Sequence, residues 1–197
     1  MKRLRIENKN TLEYWENEYK KEDRDTQRFK TRAAHDLGGR VDDVLKEIEP
    51  NDSVLDIGTG AGNFIRQLRN QRKDFRITIC DFSKNAIDYA KDMADDSFVA
   101  DITCGLNIPD NHYDVVIATE LIEHLESPQN AILEMTRIAK KKVIIQCPYK
   151  ENLTDRIVSG EHLWSFDEED FNFLKKHGNV KIKREGTVLM IVLNKVI

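Results

Sequence analysis

The sequence predicts an α/β fold built on a seven-stranded sheet, parallel except near a final antiparallel hairpin and covered by helices on both faces. Three observations carry this. From residue 53 onward, short apolar runs alternate with longer amphipathic stretches, the pattern of βαβ units. The runs are apolar almost throughout, as strands of a parallel sheet buried on both sides require. The last two runs, Val180–Arg184 and Thr187–Leu193, are joined at Glu185-Gly186, and a turn that short joins only antiparallel strands.

Taken in order, the chain begins with two helical patterns. Leu12, Trp15 and Tyr19 share one helical face, and Ala33, Leu37, Val41, Val44 and Ile48 recur at spacings of three and four. Gly38 and Gly39 interrupt the second pattern. Pro50-Asn51-Asp52 forms a turn. The strands then fall at Ser53–Ile57, Arg76–Cys80, Phe98–Ala100, Asp114–Thr119 and Val143–Cys147. Helices are expected over Gly62–Arg72, Lys84–Met93 and Pro128–Ala139, the last with Ala131, Ile132, Met135, Ile138 and Ala139 on one face. Lys140-Lys-Lys142 suits the C-terminus of that helix, where cations are favoured. Phe171, Leu174 and Lys175 belong to a short helix before the final hairpin.

A length of 197 residues suits one structural domain, with residues 1–50 as helices contributing to the cover of a binding site and 51–197 as the binding domain proper. The formal net charge of −4 gives no global electrostatic case for nucleic acid, although residues 1–40 carry 11 Lys/Arg against 8 Asp/Glu. The start MKRLRIENKN has no apolar core of a signal peptide, and no run of apolar residues is long enough for a membrane span. Cys80, Cys104 and Cys147 are odd in number and far apart, which fits reduced thiols in a cytoplasmic protein and offers no zinc or iron–sulfur spacing.

The segment Val54-Leu-Asp-Ile-Gly-Thr-Gly-Ala-Gly-Asn63 carries the most chemistry. An apolar strand runs into Gly58, Gly60 and Gly62, and a helix follows. Glycines let the backbone turn sharply and approach a ligand without interference from Cβ, and the carboxyl end of a strand is where open α/β sheets bind ligands. A dinucleotide loop needs G-x-G-x-x-G to seat a pyrophosphate on the helix N-terminus. Here the spacing is G-x-G-x-G, and Asp56 stands just before the first glycine. A carboxylate there suits a cationic ligand better than a pyrophosphate, which disfavours a nicotinamide-dependent oxidoreductase.

This stretch resembles motif I of the class I, Rossmann-like S-adenosylmethionine-dependent methyltransferases. Ile77-Thr-Ile-Cys-Asp81-Phe82-Ser83 resembles the next motif of that family. The resemblance implies that Asp81 accepts hydrogen bonds from both ribose hydroxyls and that Phe82 packs on adenine. Val99-Ala-Asp101-Ile102 resembles the third, in which Asp101 accepts from the adenine amine and the next backbone N–H, that of Ile102, meets a ring nitrogen. Asp56, Gly58, Gly60 and Glu120 complete the implied cofactor set, with S-adenosylmethionine as cofactor. The resemblance runs from about Asp52 to Asn194. Arg32 and Arg40 are candidates for the cofactor carboxylate, with a surface role the plainer reading.

After the fourth strand comes Glu120-Leu-Ile-Glu123-His124-Leu125. Glu120, Glu123 and His124 stand at i, i+3 and i+4 and are expected to share a helical face. His124 is the candidate general base for a small-molecule acceptor whose hydroxyl must lose a proton, and His162 is a second candidate. Oxygen is the preferred acceptor atom, with nitrogen open. Glu120, Glu123, His124 and His162 together also resemble the divalent-metal set of small-RNA 3′-terminal 2′-O-methyltransferases, although no metal is assigned here. A cofactor-binding subunit without catalysis is the remaining alternative. The acceptor is expected to enter between the N-terminal helices and the segment after Cys147, with Pro148–Asp167 as a candidate lid. Trp15 and Trp164 suit an aromatic acceptor site and a core equally. His35, His112 and His177 are expected on the surface.

Overall fold

The computed structural model describes residues 1–4, 7–20, 39–150 and 161–196. In chain order the elements are β1 (Lys2–Arg3), α1 (Leu12–Glu18), α2 (Gly39–Leu45), β2 (Ser53–Ile57), α3 (Asn63–Gln71), β3 (Arg76–Asp81), α4 (Lys84–Ala90), β4 (Asp96–Val99), β5 (Tyr113–Thr119), α5 (Pro128–Ile138), β6 (Ala139–Pro148), β7 (Trp164–Ser165), β8 (Gly178–Glu185) and β9 (Val188–Lys195). Short 3₁₀ segments stand at Lys91–Met93, Ile102–Cys104 and Ile122–His124, and a longer one at Glu168–Lys176.

Seven strands form one sheet in the order β4-β3-β2-β5-β6-β9-β8. The pairings from β4 through to β6 are parallel, and β9 runs antiparallel between β6 and β8. The strand pattern explains the two-sided burial. Leu55, Ile57, Val116, Ala118, Val143 and Ile145 point to one face, against α5 and the Glu168–Lys176 segment. Their neighbours Val54, Val115, Ile117 and Ile144 point to the other, against α2, α3 and α4. This period of two, apolar at both phases, is what makes the runs read as continuous.

The expected strands and helices stand within a few residues of their predicted ends, with four differences. β6 starts at Ala139, directly after α5, so Lys140–Lys142 lie on a strand and do not cap a helix. Lys141 Nζ reaches buried Asp52 at 2.6 Å and Asp114 at 3.3 Å, and Lys142 Nζ holds the Glu47 carbonyl at 2.8 Å. These ion pairs beneath the amino ends of the strands draw the lysines into the sheet. The short helix near Phe171 is a 3₁₀ segment opened by a reciprocal capping box between Asp167 and Asp170. β1 pairs antiparallel with β7, Lys2 opposite Ser165, a contact between two-residue strands that no periodicity announces. His177 is half-buried where surface was expected, while His112 is exposed. His35 and Arg32, together with Ala33, Leu37 and Gly38 of the second helical pattern, lie outside the described residues, as do 151–160 of the candidate lid. Among the described residues no helix is long and apolar enough to cross a membrane. Cys80 and Cys147 are buried free thiols and Cys104 is exposed.

The strand order reverses between β2 and β5, so their carboxyl ends part and leave a crevice there.

Candidate functional site

β2 ends at Ile57, and the loop after it turns back on β3. Gly58 N–H donates to the Cys80 carbonyl at 2.8 Å, and Gly62 N–H to the Thr59 carbonyl at 2.9 Å. Gly58, Gly60 and Gly62 have φ of +76°, +52° and +70°, a region L side chains avoid. Space is short as well. A Cβ on Gly58 would lie 2.8 Å from Leu121 Cδ1, and one on Gly62 would lie 2.9 Å from Ala90 Cβ and 3.0 Å from Met93 Sδ. Gly62→Ala therefore meets both strain and a packed helix, and is expected to destabilise the protein by about 2 kcal/mol. An unchanged urea midpoint would contradict this.

Asp81, at the carboxyl end of β3, is 6% exposed. Its carboxylate accepts from Gly60 N–H and Ser83 N–H, both at 2.9 Å, so one side chain ties the glycine loop to the start of α4. Ser83 Oγ then accepts from Ala86 N–H at 3.1 Å and caps that helix. Burial pushes the Asp81 carboxyl up to about 6. Asp56 lies behind the loop, 1% exposed. Its Oδ1 finds no hydrogen-bond partner among the described residues. Burial, with the Asp81 charge adding to it, pushes the Asp56 carboxyl up to about 7.

A cleft of about 290 Å³ opens at the crevice. One wall is Gly58, Asp81, Phe82, Asp101 and Ile102, and the other is Glu120, Leu121, His124 and Asn130. Asp56 and Gly60 stand behind the first wall and do not line it. Asp101 Oδ1 accepts from Thr103 N–H at 2.8 Å and caps the 3₁₀ turn Ile102–Cys104. α1 and the stretch before it roof the cleft through Asn8, Asn10, Trp15 and Tyr19. Trp15 and Tyr19 stack with ring centroids 5.8 Å apart, while Leu12, placed on the same helical face by its spacing, is 51% exposed. Trp15 thus belongs to the cleft. Trp164 is half-buried beside the core, its indole N–H on the Leu125 carbonyl at 2.8 Å. Asn8 and Asn10 escape a sequence reading because the loop before α1 has no periodicity and amides carry no motif, and Tyr14 because it falls off the apolar spacing of α1.

The expected shared face of Glu120, Glu123 and His124 does not form. Glu120 has a φ of +53° and precedes the 3₁₀ turn Ile122–His124. The backbone reversal sends its carboxylate toward Arg40, whose Nη1 is 3.5 Å away. Arg40 is held in turn by Gln146 Nε2, which donates to its carbonyl at 3.0 Å. Glu123 is fully buried and His124 reaches the cleft wall. His124 Nε2 is 4.0 Å from Glu123 Oε1, and the His124 and His162 rings meet edge-on at 4.8 Å. Glu123, His124 and His162 each offer a ligand atom, all within 4.8 Å of one another. Three of the four residues with a metal-like pattern converge, and Glu120 stands apart.

A family model described as a methyltransferase domain matches residues 55–147. Among curated proteins, the release factor glutamine methyltransferase of Streptococcus pneumoniae is 35% identical over 79 residues, 38% of this chain and 28% of that protein. The chain therefore matches little more than a quarter of that relative's length. Among solved structures, a Thermotoga maritima S-adenosylmethionine-dependent methyltransferase, described as a possible histamine N-methyltransferase, superposes with a TM-score of 0.72. It is 17% identical, and the match covers 94% of this chain and all of that one. Magnesium protoporphyrin IX methyltransferase from Synechocystis, solved with S-adenosylhomocysteine, gives a TM-score of 0.66 at 16% identity over 89% of this chain and 97% of its own. These likenesses speak to the fold. The fold is the one these methyltransferases share, and residues 55–147 match a methyltransferase-domain model in sequence as well.

Proposed function

We propose that this chain transfers the methyl group of S-adenosylmethionine to an oxygen, or failing that a nitrogen, of a small-molecule acceptor. The observation that carries the reading is one cleft with Asp81, Phe82 and Asp101 on one wall and His124 on the other, at the sheet's switch point. The cofactor supplies a methyl already activated on a positive sulfur. The protein's share is then proximity and alignment, worth up to about 7–11 kcal/mol in effective concentration. Asp81 offers charged acceptors to a ribose, Phe82 a face to adenine, and Asp101 an acceptor to its amine. His124 takes the acceptor's proton. The named relatives act on different acceptors by their names, so likeness of fold does not choose among them.

Calorimetry tests the first half: S-adenosylhomocysteine is expected to bind and NAD(H) not to. A labelled-methyl assay over small hydroxylated and amine acceptors tests the second. Tight cofactor binding with no acceptor methylated would favour the non-catalytic subunit instead.

Binding is also expected to depend on pH in a definite direction. Asp56 and Asp81 are held up to about 7 and about 6 in the ligand-free protein. A cationic ligand favours their charged forms, so binding expels protons below those values. Affinity then strengthens as pH rises, by up to about tenfold per unit below pH 6.5 for each proton released, and levels above pH 8. Calorimetry in buffers of different ionisation heat counts the protons, and a pH-independent affinity with none released would refute the linkage.

The convergence of Glu123, His124 and His162 favours a second reading, in which a borderline divalent cation orients the acceptor, as in metal-dependent 2′-O-methyltransferases of RNA ends. Their ligand atoms would need to close to about 3.5 Å to share an ion at about 2.1 Å. Methyl transfer that survives exhaustive chelation would dismiss it.

A further inference from the structure

Three contacts meet on Glu161. The main-chain carbonyl of Glu161 lies 2.8 Å from His124 Nδ1 and also accepts from Asn10 Nδ2 at 2.8 Å. The Glu161 carboxylate accepts from the Tyr14 hydroxyl at 2.6 Å. The residue is 5% exposed. Asn10 receives the Trp15 indole N–H at 3.2 Å, and the Trp15 ring meets His124 edge-on at 5.3 Å. Two residues on, Leu163 N–H donates to the Glu123 carbonyl at 2.8 Å. The stretch 161–163 is thereby pinned to the turn that carries His124 on one side and to α1 on the other.

A carbonyl oxygen only accepts, so the proton between it and His124 resides on Nδ1. A neutral imidazole protonated there carries its lone pair on Nε2. Nε2 lies 4.0 Å from Oε1 of the buried Glu123 side chain.

We propose that Glu161 is a positioning residue. Its carbonyl fixes His124 in the Nδ1–H tautomer, and Tyr14 and Asn10 lock that carbonyl in place, so α1 sets the reactivity of the base across the cleft. In the transfer, the acceptor's lone pair bonds to the methyl carbon and the C–S pair leaves with sulfur. The acceptor's proton passes to Nε2, giving an imidazolium whose Nδ1–H stays on the Glu161 carbonyl. With the proton already on Nε2, the ring has no lone pair there to receive it. The proposal rests on His124 as the base, but its tautomer is readable without turnover.

Long-range ¹H–¹⁵N spectra of ¹⁵N-histidine protein, with His124 assigned by its loss in His124→Ala, give the test. The unprotonated ring is expected to show a protonated Nδ1 and a bare Nε2. Glu161→Gln keeps an oxygen for the Tyr14 hydroxyl and is expected to preserve tautomer and kcat within about threefold. Tyr14→Phe and Glu161→Ala are expected to admit the Nε2–H tautomer and to lower kcat about tenfold, with S-adenosylhomocysteine affinity within about twofold. A wild-type His124 protonated on Nε2 overturns the proposal, as do Tyr14→Phe and Glu161→Ala proteins unchanged in both tautomer and kcat. Full turnover by His124→Ala overturns the reading of His124 as the base, and the spectrum separates that failure from the other.

Discussion

The His124→Ala protein is expected to bind S-adenosylhomocysteine within about threefold of the parent and to transfer methyl about 10²–10⁴-fold more slowly, the range a positioned general base contributes. The reason lies in the division of the cleft. Asp81, Phe82 and Asp101 follow β3 and β4 while His124 follows β5, so in the proposed binding mode the loss of His124 removes no group assigned to the cofactor. Without a base, an acceptor hydroxyl keeps its proton while it attacks, and its lone pair is a poor nucleophile. Single-turnover methyl transfer with saturating cofactor isolates this step. The deficit is expected to shrink as pH approaches the acceptor's own pKa, where solvent has already removed the proton. An equal loss at every pH, matched by lost cofactor affinity, would mean that His124 supports the cleft's shape and not its chemistry.

Asp81→Ala is expected to weaken S-adenosylhomocysteine binding about 100-fold or more. The carboxylate does two things at once. In the proposed binding mode it offers its oxygens to a ribose, and it already accepts from Gly60 N–H and Ser83 N–H. Hydrogen bonds to a charged partner contribute about 1.5–3 kcal/mol each, so losing even two of those at a ribose amounts to roughly two decades. Alanine also strands two backbone donors and removes the tie between Gly60 and the end of β3, leaving the Gly58 N–H bond to the Cys80 carbonyl. Asp81→Asn separates the roles, since its amide oxygen still accepts while the charge is gone. It is expected to retain the fold and fall between parent and alanine in affinity. Equal affinity in all three proteins would remove Asp81 from the ligand and leave it a purely architectural role.

Much of this was legible in the sequence because the signals are local. The G-x-G-x-G spacing marks a sharply turned loop, and Gly58, Gly60 and Gly62 do stand at positive φ. Apolar runs gave β2, β3 and β5 nearly to the residue, since a strand buried on both faces has little alternative. The misreadings came where tertiary contacts override local preference. Lys140–Lys142 looked like a helix end, but Asp52, Asp114 and Glu47 wait beneath the sheet and claim two of them. Glu120 looked like part of a helix, but the chain reverses at its positive φ and the side chain meets Arg40, 80 positions earlier. Glu161 could not have been found, because its carbonyl acts on His124 from 37 residues away and a main-chain group leaves no mark on composition.

α1 contributes no residue to the buried core. It is fastened by polar contacts: Tyr14 on Glu161, and the Glu16 carboxylate on the Lys84 and Asn85 N–H groups at the start of α4. A segment so attached opens locally without unfolding the sheet. Its amides are expected to exchange with deuterated solvent orders of magnitude faster than those of β5, and to slow when the cleft fills beneath Trp15 and Tyr19. The short roof helix is thus a built-in occupancy gauge: exchange at Trp15–Glu18 reads whether a ligand is present before any product is made.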